Sequence, residues 1–304
     1  MKDENNIRVE LVRMEGDVAP FVQVNYVGKD GQGLTGLLLL DSGSNENILS
    51  PDVADSIGPL STIENGTKQI TSISQEVMVA KQVRFSFVLG DSRFDETFCL
   101  SNEPLQIPVK GMTVIGILGN VFMQQQRLVI DNSDYTLHSS EITPDNFSIS
   151  DCAFFFPMKA GLKIYGIPVV PIMQNGVELV TLVDTGATSN LIANQALTDY
   201  EFKCERMEGK DAIMGVQGRV DAEDAMVWFT LLLLNGDDSV AELSCCAYFK
   251  VLPHNILTLP EDACDESGRK YPSIEILIGA PFMARQGWIL DFGAKIIYKR
   301  KVAE

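Results

Sequence analysis

Apolar residues in this chain fall in short blocks separated by glycine, aspartate, asparagine and serine. F-V-Q-V-N-Y-V (Phe21 to Val27), Q-V-R-F-S-F-V-L (Gln82 to Leu89) and V-W-F-T-L-L-L-L (Val227 to Leu234) are rich in β-branched, aromatic and leucine residues. Each reads as a strand. Glycine-aspartate turns follow the last two, at Gly90-Asp91 and Asn235-Gly236-Asp237, and predict a hairpin in each half of the chain. Short helices are expected at S-P-D-V-A-D-S-I, with serine at the cap and proline in the first turn, and at A-N-Q-A-L-T-D-Y. G-N-V-F-M-Q-Q-Q and G-A-P-F-M-A-R-Q are two more, each delivering the chain into an apolar strand. The pattern predicts a mostly β protein with few, short helices.

The blocks also repeat. L-L-L-L-D-S-G-S (Leu37 to Ser44) matches V-T-L-V-D-T-G-A (Val180 to Ala187), and across Leu38 to Leu49 against Thr181 to Ile192 four of twelve positions are identical. These are Leu39/Leu182, Asp41/Asp184, Gly43/Gly186 and Asn47/Asn190. A second pair, I-L-G-N-V-F-M-Q-Q-Q-R-L-V-I-D (Ile117 to Asp131) and L-I-G-A-P-F-M-A-R-Q-G-W-I-L-D (Leu277 to Asp291), shares five of fifteen, including Gly119/Gly279 and Asp131/Asp291. Two blocks repeated in the same order mark a duplicated unit. Asp41 and Asp131 are 90 residues apart, Asp184 and Asp291 107, and the extra 17 are expected in the polar, acidic loop from His254 to Gly268. The junction falls in the polar stretch Ser139 to Asp151, giving domains 1–146 and 147–304.

Composition narrows the function. With 45% hydrophobic and 21% charged residues, 304 residues are enough for two lobes with real cores. A net charge of −17 repels nucleic acid and anionic membrane surfaces, so neither is an expected partner. Most of this charge reads as solubility, and the acids are too scattered for a metal cage. The six cysteines show no CxxC spacing, and a reducing compartment is expected. Cys99 and Cys245 each lie nine residues after a turn glycine, Gly90 and Gly236, and are expected to share one inward position. The start M-K-D-E-N-N-I-R shows no leader, and no apolar run approaches the roughly 18 residues of a membrane span. A cytoplasmic location is the expectation, or export if a leader was trimmed.

The chemistry lies in the two aspartates. An apolar strand carries each one into a hydroxyl-plus-glycine turn, where glycine lets backbone amides approach the carboxylate. Two carboxyls brought together cannot both ionise cheaply, so the pair retains a proton, and one acid serves as base while the other serves as acid. D-S-G-S and D-T-G-A, with the two glycine-phenylalanine-aspartate blocks, resemble the halves of a pepsin-like or retropepsin-like aspartic protease. That resemblance spans most of the chain. It implies an all-β fold of two related barrel lobes with a cleft between them, and an endopeptidase acting on peptide or protein substrates without metal or cofactor. Asp41 and Asp184 would be catalytic. Ser42, Gly43, Ser44, Thr185, Gly186 and Ala187 would shape the supporting loops.

Flaps over the cleft are implied at matching offsets, Ser72, Ile73 and Ser74 in one half and Gly215, Val216, Gln217 and Gly218 in the other. A fused pair needs no partner for catalysis, so a monomer is expected. Ser44 faces Ala187 across the repeat, and a Ser44 hydroxyl donating to Asp41 would keep Asp41 ionised and leave the proton on Asp184. The competing reading is a catalytically silent homologue that binds peptides in the cleft as an adaptor or inhibitor. Elsewhere the expectations are structural. His138 and His254 read as satisfied loop or surface histidines, Asp131 and Asp291 as turn or cap residues, and Phe154 to Phe156 as a strand linking the lobes. Trp228 and Trp288 read as core, and E-D-A-C-D-E (Glu261 to Glu266) as a solvated loop.

Overall fold

The computed structural model describes residues 7–14, 17–57, 61–71, 77–105, 107, 111–141, 152–157, 167–215, 218–234, 239–258 and 273–300. The N-terminal half runs β1 (Arg8–Glu10), β2 (Val12–Met14), β3 (Asp17–Val27), β4 (Gly33–Asp41), β5 (Ile48–Leu49), α1 (Pro51–Ala54), β6 (Ser61–Thr71), β7 (Val77–Leu89), β8 (Ser92–Leu100), β9 (Val114–Gly119), α2 (Asn120–Gln125), β10 (Leu128–Asp131) and β11 (Thr136–Ser139). The C-terminal half runs β12 (Cys152–Pro157), β13 (Val169–Gln174), β14 (Val177–Asp184), β15 (Asn190–Ala193), α3 (Asn194–Asp199), β16 (Cys204–Gly215), β17 (Gly218–Leu234), β18 (Val240–Leu252), β19 (Leu257–Thr258), β20 (Ser273–Ile274), β21 (Ile276–Gly279), α4 (Ala280–Gln286), β22 (Ile289–Asp291) and β23 (Ile296–Arg300).

Each half closes a six-stranded barrel with the same permutation. In the first the order is β3-β4-β9-β5-β8-β7, closed by β7 on β3; in the second it is β13-β14-β21-β15-β18-β17, closed by β17 on β13. Even the mixed directions repeat. β4–β9 and β14–β21 are parallel, as are β5–β8 and β15–β18. The fold is therefore two related all-β barrel lobes with four short helices among the described residues, and those helices stand where the sequence placed them.

The leucine run of β4 shows why these strands read as continuously apolar. Leu38 and Leu40 point into the main core, while Leu37 and Leu39 pack on the opposite face with Phe21, Ile48 and Ile117. Both faces are buried, so there is no polar side to alternate with. Aromatic side chains fill the barrels. Phe85, Phe87, Phe94, Phe98 and Phe122 contact one another in the first, with Phe229, Phe249, Phe282 and Trp288 in the second. Phe122 and Phe282 are the repeated phenylalanines of the α2 and α4 segments.

A sheet common to both halves joins the lobes, in the order β1-β11-β10-β22-β23-β12. At its centre β10 and β22 pair antiparallel, with Ile130 opposite Leu290, Val129 opposite Asp291 and Asp131 opposite Ile289. Cys152–Pro157 is the outer strand on the C-terminal side, so the Phe154 to Phe156 segment is a strand, as expected. The strand-end aspartates serve the turns and more. Asp131 Oδ1 accepts from the Ser133 amide at 2.8 Å, and Asp291 Oδ1 from the Ala294 amide at 2.7 Å. Each then takes a partner from the other half, Arg300 on Asp131 at 2.9 Å and the Ser140 hydroxyl on Asp291 at 2.6 Å.

Three expectations need correction. Ile48 pairs with Cys99 and its counterpart Leu191 with Lys250, so Cys99 corresponds to Lys250 and not to Cys245. Both thiols are buried nonetheless, and burial pushes each up to about 11. The same registers divide the 17 extra residues. Ile48 precedes its partner by 51 and Leu191 by 59, so eight lengthen the hairpins before this point and only nine fall between it and Gly279. A longer β17–β18 hairpin hides from a count of turn residues. Finally, Trp288 is core but Trp228 is half-buried on the outer face of β17, with Lys203 4.7 Å above its ring. Its neighbours Val227 and Phe229 take the inward side, and strand alternation turns Trp228 out.

The turn at Gly90-Asp91 is a two-residue hairpin between Leu89 and Ser92, whereas 235–238 lie outside the described residues, as does Glu261 to Glu266. His138 and His254 each place Nδ1 within 3.0 Å and 2.9 Å of the next residue's carbonyl oxygen, which fits satisfied loop histidines.

The clasp across the central sheet is testable. Ser140→Ala removes one donor from the buried Asp291 carboxyl and should lower the free energy of unfolding by about 1–3 kcal/mol. Urea denaturation at constant pH measures it, and an unchanged midpoint and slope would show the bond to be idle.

Candidate active site

β4 and β14 end at Asp41 and Asp184, and parallel pairing sets Asp41 beside Gly119 and Asp184 beside Gly279. Each carboxylate is received by the turn that follows it. Gly43 and Ser44 amides donate to Asp41 Oδ1 at 2.8 and 3.0 Å; Gly186 and Ala187 amides donate to Asp184 Oδ1 at 2.8 and 3.2 Å. The Asn47 and Asn190 side chains, identical in the repeat, accept from the Gly119 and Gly279 amides at 3.0 and 2.9 Å. They tie each loop to its neighbouring strand.

The two loops then lock together. The Ser42 hydroxyl donates to Val183 O at 2.8 Å and accepts from the Thr185 amide at 2.9 Å. The Thr185 hydroxyl returns the exchange, donating to Leu40 O at 2.6 Å and accepting from the Ser42 amide at 3.0 Å. Both hydroxyl residues are buried. Only a side chain that donates and accepts at once can do this, which accounts for serine or threonine after each aspartate.

Gly43 and Gly186 lie flat against the opposite acids. A Cβ on Gly43 would stand 2.6 Å from Asp184 Cγ, and one on Gly186 would stand 2.6 Å from Asp41 Cγ. No side chain fits there. The two carboxyl groups are hydrogen-bonded to each other and remain partly accessible.

Burial raises the proton affinity of both acids. At Asp41 the neighbouring Asp184 charge adds to this, while the Gly43 and Ser44 amides oppose it. At Asp184 the bond from Asp41 and the amides of Gly186, Ala187 and Gly43 oppose the rise. The site is a coupled pair holding one proton between its two acids. Ser44 does not play the part expected of it. Its hydroxyl turns away from the pair and donates to Glu46 O at 2.8 Å, so it gives Asp41 nothing but its backbone amide.

Of the hairpin residues, Gly215 and Gly218 pair at the adjoining ends of β16 and β17. In the first half Thr71 pairs with Val77 at the end of the β6–β7 hairpin. Both hairpins carry a register shift, between Thr62 and Thr67 and between Arg206 and Lys210. Ser72, Ile73, Ser74, Val216 and Gln217 lie outside the described residues. Glu46, paired with Lys68 of β6 at 2.8 Å, escaped notice because its counterpart is Ser189. Asn120, buried beneath the Asp41 loop, was equally silent, since its counterpart is Ala280.

No protein-family model and no curated protein matches this chain. Solved structures do resemble it. An aspartic proteinase from Irpex lacteus is 14% identical with a TM-score of 0.54, the match covering 97% of this chain and 98% of that one. Conglutin gamma, a basic 7S globulin from lupine seeds, is 11% identical with a TM-score of 0.53, over 98% and 95%. Basic 7S globulin from soybean is 11% identical with a TM-score of 0.50, over 98% and 95%. The chain has the bilobal pepsin-like fold.

The acid pair leaves a signature in stability. A carboxyl raised in the folded state costs nothing below its unfolded value, near 3.8. As pH rises the unfolded chain gives up that proton while the folded one holds it, so the cost grows with pH until the folded pair ionises as well. Asp41→Asn should therefore stabilise the protein at pH 7 by on the order of 1–3 kcal/mol, a tenfold change in proton affinity being worth about 1.4 kcal/mol. The gain should vanish near pH 3. Thermal unfolding at both pH values decides, and an equal gain at pH 3 would contradict the coupled pair.

Proposed function

We propose that this chain is an aspartic endopeptidase that hydrolyses peptide bonds with a water activated between Asp41 and Asp184. The observation that carries it is the reciprocal Ser42–Thr185 exchange, which holds two proton-sharing carboxyls face to face. A protein with no use for such a pair could relieve the repulsion with one amide.

A water bound between the carboxyls loses a proton to the ionised acid as it attacks the scissile carbonyl. The protonated acid donates to the carbonyl oxygen, and the tetrahedral intermediate collapses as a proton passes to the leaving amine. The Gly43 and Gly186 amides hold the carboxylate oxygens in place, so no reorientation is needed during transfer. This chemistry uses no cofactor. Both acids lie on one chain, so a monomer suffices, and buried free thiols at Cys99 and Cys245 suit a reducing compartment. The net charge of −17 favours peptide or protein substrates over nucleic acid or anionic membranes.

The second reading is a silent homologue that binds peptides as an adaptor or inhibitor. It is supported by the two structural neighbours named as globulins rather than proteinases. Cleavage of a peptide library from pH 3 to 8 separates the readings. Rate should fall on both sides of an optimum, on the acid side as the pair gains its second proton and on the basic side as it loses its last. Asp41→Asn and Asp184→Asn should each lower kcat/KM by about 10³-fold or more, and a statine-type inhibitor should block turnover. Cleavage that survives both substitutions would remove the mechanism; binding without cleavage would favour the silent homologue.

A further inference from the structure

Asn120 opens α2 and is completely buried, while Ala280 opens α4 at the matching place. Its amide nitrogen donates to Ser42 O at 3.3 Å and to Asn45 Oδ1 at 2.9 Å, and its Oδ1 accepts from Gln124 Nε2 at 3.3 Å. Its backbone amide donates to Ser44 O at 2.7 Å. One residue thus holds the carbonyls on either side of Gly43. In the second half the backbone bond recurs, Ala280 N to Ala187 O at 2.9 Å, but alanine has no side-chain donor for Thr185.

A buried amide is expensive unless bonded. Here its bonds go to the Asp41 loop. The peptide unit between Ser42 and Gly43 accepts from Asn120 at its carbonyl end and donates to Asp41 Oδ1 at its amide end, at 2.8 Å. A hydrogen bond accepted by a peptide carbonyl polarises the unit and strengthens its N–H as a donor.

We infer that Asn120 is a positioning residue, clamping the Ser42–Gly43 peptide so that its N–H stays aimed at the paired carboxyls. The absence of such a clamp beneath Asp184 makes the two loops unequal. Its catalytic meaning rests on the protease reading, whereas its effect on the acid pair does not. The ionisable group facing Asp41 is Asp184, at the end of β14. Glu46, further along the same loop, is engaged by Lys68 of β6, and the side chains that Asn120 itself touches, Asn45 and Gln124, are uncharged.

Carboxyl carbon NMR of protein labelled at aspartate reads the ionisation of the pair without any turnover. Asn120→Ala should move the first ionisation upward by roughly 0.5–1 pH unit, because the monoanion loses part of its best-aligned donor. The acid limb of kcat/KM should move with it. Should this variant fail to fold, Asn120→Ser takes its place, its hydroxyl being too short to span to Ser42, and must show the same shift. A folded variant whose pair titrates within about 0.2 unit of the parent overturns the inference. A shifted pair in a protein that cleaves nothing would keep the positioning role and discard the protease reading.

Discussion

Two carboxyl groups bonded to each other in a partly buried site repel and are poorly solvated, so the native state holds them against a free-energy gradient. Much of what surrounds them is explained by that constraint. The aspartates must arrive on rigid tracks, and β4 and β14 are buried on both faces. They must be met by donors, and each turn aims two amides at one oxygen. They must be kept together, and the Ser42–Thr185 exchange crosses from one loop to the other with hydroxyls buried away from competing water. Removing one hydroxyl would leave a buried carbonyl and a buried amide unpaired in the opposite lobe, which is why the lock resists loosening from either side.

A lock of four hydrogen bonds cannot orient two barrels by itself. The orientation comes from the far side of the site, where β10 and β22 pair antiparallel about Ile130 and Leu290. There each strand-end aspartate repeats the logic of the Asp41 and Asp184 loops, taking its turn amide from its own half and a further partner from the other, Ser140 for Asp291 and Arg300 for Asp131. The lobes are thus joined twice by reciprocal contacts. Those contacts are of the kind that a duplicated sequence generates without further invention, since each residue set needs only to meet a copy of itself.

What the sequence made legible was whatever the duplication preserved. Asp41 and Asp184, their hydroxyls and glycines, the four short helices and the strand tracks appear twice, and two weak local signals in the same order make one strong one. What it hid was whatever differs between copies. Ser44 was visible as a difference from Ala187, but its direction was not, because the Glu46 carbonyl that captures its hydroxyl is fixed by the loop's path and not by residue type. Cys99 and Cys245 looked equivalent by counting from glycines, and the longer β17–β18 hairpin broke the count. Asn47 and Asn190 were seen as identities without a role, since their partners, the Gly119 and Gly279 amides, lie 72 and 89 residues away along the chain.

Symmetry itself sets the last step of the argument. Two identical loops would give two identical acids, and a shared proton would then have no preferred home. The observed loops are alike in every contact that holds the carboxyls together and unlike in the shell behind them. Asn120 faces Ala280, Glu46 with its Lys68 partner faces Ser189, and Ser44 faces Ala187. The lock is intact across these differences. A pair assembled by duplication can in this way let the shell behind each acid differ without disturbing the geometry that makes it a pair.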